Sequence, residues 1–443
     1  MAIVCQLPKL DHEELEFIPH QHLDTFDHLR NSEQLVRDMK DDPEGLFGAA
    51  YTFTDPLQSR ITVTIARVLS CAEGTSGRSS VVAEVACVCS ANGCLTSGCE
   101  WHGESKIMKI SFESSTQEPE PDLIFKAREM ARSTGNDWAL KHLPNIVHSV
   151  TIKYSENYEH GRLKAHLKNN NEERVMHVTF YEKLQPLSEF GENLPKCFMI
   201  SYKVRFLVLK SQFPGLTRLH FPVQQWLYEC AGILHHDLSI GNIMFRRIEG
   251  KVYGVLNDFD LSSTVDCMAQ GPSSKERTGT RPFMSPDLLD SHWKGGHLPR
   301  HDLESLFYII LCLVCRYDEL YGLIPCAEPR PFTKWFVGSD DDVRAYKVSF
   351  IHYGSAPTIQ PYFTDFKPWV TDLRYCLFNG YHHRPPLELD PEILASQFAL
   401  PCAVDYDWDT LGGIITYHNF RLVMSTFRGV PLETRWQGFK PEN

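Results

Sequence analysis

No apolar run in this chain is long enough to cross a bilayer: the longest, Leu306 to Cys315, reads as a buried helix. The first residues, Met1 to Asp11, lack the basic segment followed by an apolar stretch that marks a secretory leader, so none is expected. Positive charge is not in excess either. Lys and Arg number 44 against 56 Asp and Glu, and the net charge of −12 argues against a dominant nucleic-acid surface. Internal repeats and low-complexity tracts do not stand out, which sets aside solenoids. The expectation is an intracellular chain, cytoplasmic or nuclear, with no membrane and no nucleic-acid partner. A hydrophobic fraction of 42% over 443 residues is ample for a sizeable core.

A disulfide framework is missing too. The 14 cysteines are scattered, which in a reducing compartment means mostly buried thiols. One group has zinc-type ligands, Cys87-x-Cys89-x4-Cys94-x4-Cys99-x2-His102, but its spacings match no common zinc knuckle closely. The reading preferred here is a strand that ends at the Asn92-Gly93 turn, with Cys87 and Cys89 on one face and Cys94 and Cys99 in the loop.

What the chain does contain is His235-His236-Asp237-Leu238-Ser239-Ile240-Gly241-Asn242, followed by Asp258-Phe259-Asp260. A carboxylate, a carboxamide five residues on and a second carboxylate 21 residues after the first are the parts needed to move a phosphoryl group from Mg-ATP. One Asp orients the attacking hydroxyl and takes its proton, while the Asn and second Asp hold magnesium. An apolar stretch, Trp226 to Leu234, precedes the first loop, and Val252 to Leu256 reads as a strand that delivers Asp258 to its end.

Further on stand Thr278-Gly-Thr280-Arg-Pro-Phe-Met-Ser-Pro-Asp287 and Arg300-His-Asp302-Leu-Glu-Ser305. In this order the motifs resemble those of the protein kinase superfamily, and their wording is similar to the fungal-type protein kinase-like family (FunK1). The likeness covers about residues 60 to 350. It implies an α+β, bilobal protein kinase-like fold with a strand-rich N-lobe and a mainly helical C-lobe. The expected organisation is an N-terminal extension (1–60), an N-lobe (61–185), a C-lobe (186–385) and a C-terminal extension (386–443) packing on the C-lobe. The resemblance also implies roles. Asp237 would be the catalytic base, Asn242 and Asp258 magnesium ligands, and Thr280 the residue that braces the catalytic loop. Asp287 would pair an arginine, with Arg374 and Arg384 both candidates. Asp302 would open the central helix and cap the catalytic-loop backbone, and His235 would pack beneath that loop.

In the N-lobe, Ile61 to Ile65 alternates as a half-buried strand does, and Val81 to Val88 is a second apolar strand. Between them, Gly74 and Gly77 allow a phosphate-approaching turn, although a plain hairpin explains them as well. The resemblance places Gly77 at the glycine-loop position and Lys109, on a third strand, at the position that grips the α- and β-phosphates. A Glu on the next helix, read as Asp122 to Arg132, should fix that lysine. Glu118, Glu120 and Glu129 compete, and the family pattern favours Glu120. Two strands near 145–154 and 174–181 follow, divided by the polar excursion Ser155 to Glu173. The hinge that would meet adenine is Glu182-Lys183-Leu184. Arg205 to Thr217, containing Pro214-Gly215, interrupts the sequence leading to the catalytic loop. Trp335 and the acidic run Ser339 to Asp342 fit a capped helix start or a substrate-facing surface.

Three departures from the kinase pattern bear on activity. His236 replaces an Arg that often pairs with a phosphorylated activation segment, Ser239 replaces a Lys at the γ-phosphate, and Asp260 replaces a flexible Gly. Asp reaches glycine's left-handed angles only at a cost, although Asp260 could instead add a carboxylate facing the metal. The implied activity is transfer of the γ-phosphate of Mg-ATP to a Ser or Thr hydroxyl of a protein substrate. Two alternatives stay open, a small-molecule phosphotransferase of aminoglycoside or choline kinase type and a nucleotide-binding pseudokinase. With His at 236, alanine at Ser273, Ser274 and Thr278 together is expected to leave most activity in a phosphotransfer assay.

Overall fold

Apolar residues at every second position build the first sheet. Val81, Ala83, Val85 and Cys87 turn into the core while their neighbours are less buried, and Ile61, Val63 and Ile65 join that core from the preceding strand. The computed structural model describes residues 48, 50–54, 60–72, 79–87, 101, 105–114, 118–153, 174–186, 220–249, 251–265, 279–317, 330–385, 406–427 and 430–431. The fold is α+β, strand-rich towards the N-terminus and helical towards the C-terminus. It divides into two units, Met1–Asp122 with Pro144–Lys183, and Leu123–Leu143 with Leu184–Asn443.

In the first unit, β1 (Ala50–Thr54), β2 (Arg60–Ala72), β3 (Ser79–Cys87), β4 (Lys106–Ser114), β5 (Ile146–Lys153) and β6 (Arg174–Glu182) form one antiparallel sheet, ordered β1-β2-β3-β4-β6-β5. The sequence reading places Ala50–Thr54 in an extension, but these residues pair with β2, so Lys109 stands on the fourth strand. Phe180 occupies the centre of the core, stacked 4.6 Å from Phe53 and set edge-on to Trp101 at 5.2 Å. Helix α1 (Glu120–Ser133) starts in this unit and continues into the second. A short helix, α2 (Asp137–Leu140), follows, and the chain after it is tied to the second unit. There His142 Nδ1 lies 2.7 Å from Gly254 O, and Arg246 donates to Leu143 O.

In the second unit, β7 (Gln185–Pro186), β9 (Ile243–Ile248) and β10 (Lys251–Leu256) make a small sheet. Helix α3 (His220–Glu229) leads to β8 (Ile233–Leu234), which pairs with β11 (Ser263–Thr264). These strands hold the loops 235–242 and 257–262 at their ends. The central helix α4 (Pro299–Arg316) is buried along its whole length after Pro299, as its apolar sequence requires. Helices α5 (Thr333–Val337), α6 (Asp340–His352), α7 (Lys367–His383) and α8 (Tyr417–Val423) complete the unit, with β12 (Thr426–Phe427) pairing β13 (Val430–Pro431). The acidic run after Ser339 is a capped helix start. Ser339 Oγ accepts from Asp342 N–H, and Asp342 accepts in return from Ser339 N–H. Trp335 is buried. Residues 406–427 pack onto the helices: Trp369 Nε1 donates to Thr426 O at 2.8 Å, and Phe366 meets Phe427 at 5.0 Å.

Gly74, Gly77, Cys89, Cys94, Cys99, His102, Ser155–Glu173, Arg205–Thr217, Ser273, Ser274 and Thr278 lie outside the described residues, as do positions 1–45. Among the described residues, no helix is long and apolar enough to cross a membrane.

Phe180→Ala should cost about 3–5 kcal/mol, because the aromatic packing around it cannot close over the gap. Urea unfolding followed by tryptophan fluorescence measures this as a lowered midpoint.

Candidate functional site

In the first unit, the sheet puts Met108 and Ile110 into the core and turns Lys109 to the other face of β4, where it is still 92% covered. A buried ammonium needs a counter-charge. Glu120, in the first turn of α1, supplies it: Lys109 Nζ lies 2.8 Å from Glu120 Oε2, and Tyr181 Oη donates to the same oxygen at 2.9 Å. Of the three glutamates that compete in the sequence, Glu120 makes this pair, while Glu129 is exposed. The Tyr181 bond is invisible in sequence and depends on the β4–β6 register, which sets Tyr181 opposite Ile107. Glu182, at the end of β6, donates its backbone N–H to Asn145 O at 3.1 Å. Lys183 is exposed and pairs with Glu84 at 2.5 Å.

In the second unit, the loop after β8 is held from several sides. His235 accepts from Asp237 N–H on Nδ1 (3.3 Å), so its proton sits on Nε2, which reaches Asn257 O at 3.1 Å. Its ring rests edge-on against Phe259, 5.0 Å away. Asn242 Nδ2 donates to both Asp237 O (2.8 Å) and Asp237 Oδ2 (3.1 Å). Thr280 places its backbone N–H and its hydroxyl on Asp237 Oδ1, each at 2.7 Å. Asp237, Asn242 and Thr280 therefore form one cluster, and the Asp258 charge acts on it. Burial pushes the Asp237 carboxyl above its usual range and Asp258 adds to this, while Thr280 and His235 pull against them. A carboxyl shifted in this direction takes up a proton more readily than a free one.

Gly279 is what lets Thr280 come so close. Its φ is +131°, and a Cβ there would sit 3.0 Å from Met284 Cγ and 3.4 Å from His236 O.

The departures take a different form from the one the sequence suggests. Left-handed backbone falls on His236 (φ 69°) and on Asp258 itself (φ 65°), not on Asp260, so the expected cost at 260 is absent and the strain sits on the proposed metal ligand. Ser239 is buried and accepts from Asn242 N–H at 3.2 Å, bracing the loop it belongs to. His236 stacks face to face on His297, with centroids 4.3 Å apart and planes within 4°. Asp302, at the start of α4, takes His236 N–H on Oδ2 (3.4 Å) and His297 Nε2 on Oδ1 (2.9 Å). Burial would raise its carboxyl, but the His297 hydrogen bond, with the imidazoles of His297 and His236 close by, outweighs burial and holds it below the ordinary range.

Asp287 is paired by Arg384, on Oδ1, and also by Arg300, whose Nη2 reaches Oδ2 at 2.5 Å. Arg374 turns instead to the carbonyls of Gly354 and Ser355. The sequence reading missed Arg300. Its signal was the Arg300–Glu304 spacing of one helical turn, and Arg300 Nη1 does lie 3.0 Å from Glu304 Oε1. Arg300 Nε donates to Trp408 O at 2.7 Å, and Tyr381 Oη donates to both Glu304 oxygens.

Burial pushes the Glu304 carboxyl up to about 7, against the pull of Arg300. Between about pH 4.5 and 7 the folded chain then keeps a proton that the unfolded chain has released, so this group's contribution to stability falls as pH rises through that window. Glu304→Gln should flatten that decline, seen as a smaller drop in urea midpoint from pH 5 to pH 7 than in the wild type.

No curated protein matches the chain. Residues 223–315, from α3 through the Asp237 loop to the last turns of α4, match the family model described as fungal protein kinase. The match covers about a fifth of the chain; over this stretch the chain is similar to fungal protein kinases, which supports a kinase-like phosphotransferase.

Proposed function

We propose that the chain transfers the γ-phosphoryl group of Mg-ATP to a Ser or Thr hydroxyl of a protein substrate. The observation that carries this reading is the seating of Asp237. One oxygen takes two donors from Thr280 and the other takes the Asn242 amide, so the carboxylate is aimed and cannot rotate. Asp237 orients the hydroxyl and accepts its proton as the new P–O bond forms and the bond from the γ-phosphorus to the bridging oxygen of ADP breaks. Thr280 keeps that carboxylate in place throughout.

The donor set suits magnesium. Asn242 spends its amide nitrogen on Asp237, which leaves Oδ1 as the atom to face a cation, and Asp258 adds a carboxylate from the next loop; hard oxygen ligands are what magnesium takes. A magnesium ion held by these residues would neutralise charge on the phosphate oxygens. Lys109, fixed by Glu120, supplies a cation for the α- and β-phosphates. A protein acceptor is favoured over a small molecule by the Thr278–Asp287 segment, whose Thr280 is tied to the base itself.

Purified chain with γ-labelled ATP and magnesium, offered itself, a protein mixture and an aminoglycoside and amino-alcohol panel, tests this. Label is expected in protein at Ser or Thr, falling about 10²–10⁴-fold in Asp237→Asn. Label confined to small molecules, or none despite intact Mg-ATP binding, would replace this reading with one of the other two.

A further inference from the structure

Lys347, on α6, carries its ammonium into the interior of the second unit, where its exposure is 0%. Nζ donates to the carbonyl oxygen of Met284 and, at 3.5 Å, to that of Arg281. The ring of Tyr308 on α4 lies 4.0 Å from Nζ, and that of Trp335 on α5 lies 5.2 Å away. Two carbonyls and two π faces thus replace the water that a lysine normally keeps. An apolar side chain would fill this space without that desolvation, so the ammonium must be accounted for by what it holds.

It holds the turn that carries Thr280. Residues Arg281–Phe283 form a single 3₁₀ turn, with Phe283 N–H closing on Thr280 O at 2.8 Å and Met284 N–H on Arg281 O at 3.3 Å. The carbonyls that receive Lys347 belong to this turn and to the residue just after it, where a helical turn exposes acceptors and favours a cation. Thr280 opens the turn and sets its two donors on Asp237. The outer side is fastened separately: the half-exposed Arg281 guanidinium meets Gly338 O at 2.7 Å and Asp340 Oδ1 at 2.9 Å. Lys347 is the inner fastening.

We infer that Lys347 is a positioning residue for phosphoryl transfer, holding Thr280 on Asp237 through the carbonyls of Arg281 and Met284; this rests on the function proposed above. The groups that face it are few in kind. From α4 come Glu304, whose charge once ionised favours the protonated lysine, Cys312, whose thiol burial pushes up to about 12 and so leaves uncharged, and Tyr308, whose phenol is pushed well above its ordinary value. From α5 comes the neutral Trp335, and from the turn come carbonyl oxygens, because the Arg281 side chain points to Asp340. Burial outweighs the favourable electrostatics around it and brings Lys347 down to about 7. Protonated, it donates to both carbonyls as a cation. As pH rises through that value the cation is lost and the hold on the turn weakens.

Lys347→Met keeps the length and packing of the side chain and removes its donors. Hydrogen exchange of the Thr280 and Phe283 amides should quicken at least tenfold in this variant, with the amides of α4 unchanged. In the phosphotransfer assay, kcat should fall at least tenfold while KM for ATP stays within twofold, and the alkaline limb of the kcat profile near pH 7 should disappear. If the variant does not fold, the wild type decides the matter: the protection factor of the Phe283 amide should drop between pH 6 and pH 9. Unchanged exchange in Lys347→Met, or a protection factor flat across that range, overturns the inference. The exchange readout needs no activity, so a chain that labels nothing but responds in exchange keeps the Lys347 anchor and refutes phosphoryl transfer instead.

Discussion

Asp302 is buried, and its two oxygens decide where the Asp237 loop lies. One takes the backbone N–H of His236, a residue in left-handed conformation, and the other takes His297. The loop cannot relax at His236 without giving up a bond to a carboxylate that has no water to turn to. Because His236 precedes Asp237, the orientation of the candidate base is set by a residue at the head of the central helix. Stacking of His236 on His297 then makes a pair of like rings the lining of that anchor.

A second group of buried charges flanks Asp302 on α4, with Arg300 two residues before it and Glu304 two after. Arg300 divides its guanidinium between Asp287, Glu304 and the carbonyl of Trp408. Arg384 reaches the same aspartate from just beyond α7. Such networks add little net stability over a well-packed apolar core, but removing one member leaves an uncompensated charge. Their effect here is registration: the segment ending at Asp287 can meet the central helix in one place. That same segment begins with Thr280, so the geometry at Asp237 is bounded at both ends by buried electrostatics.

Much of this architecture could be read in the residues. The alternation of Ile61–Ile65 marks β2, although the strand runs on to Ala72. The apolar continuity of Leu306–Cys315 marks the buried helix. The order of Lys109, Glu120, Asp237, Asn242, Asp258 and Thr280 singled out residues that the structure joins in pairs and clusters within each unit. Contacts that depend on tertiary register escaped the reading. Tyr181 on Glu120 needs the β4–β6 pairing, and Arg300 on Asp287 needs the helix to meet the 279–287 segment. The strain at Asp258 was looked for at Asp260, because glycine at a motif position signals where backbone freedom is wanted, while the left-handed residue lies two positions earlier. β1 was hidden because Ala50–Thr54 is too short and too mixed in polarity to announce itself against a long preceding polar stretch.

The full burial of α4 also bears on how the chain is made. The helix is covered by groups that leave the ribosome long after it does: Tyr381 seals Glu304, and Trp408 O receives Arg300. When Arg316 has been synthesised, Arg300 has its helical neighbour Glu304 and Asp287 to bond, but its Nε donor waits for a carbonyl 108 residues downstream. A nascent chain stopped before residue 406 would expose polar atoms meant for the interior. It would therefore present itself to chaperones as unfinished, even with every candidate catalytic residue already translated.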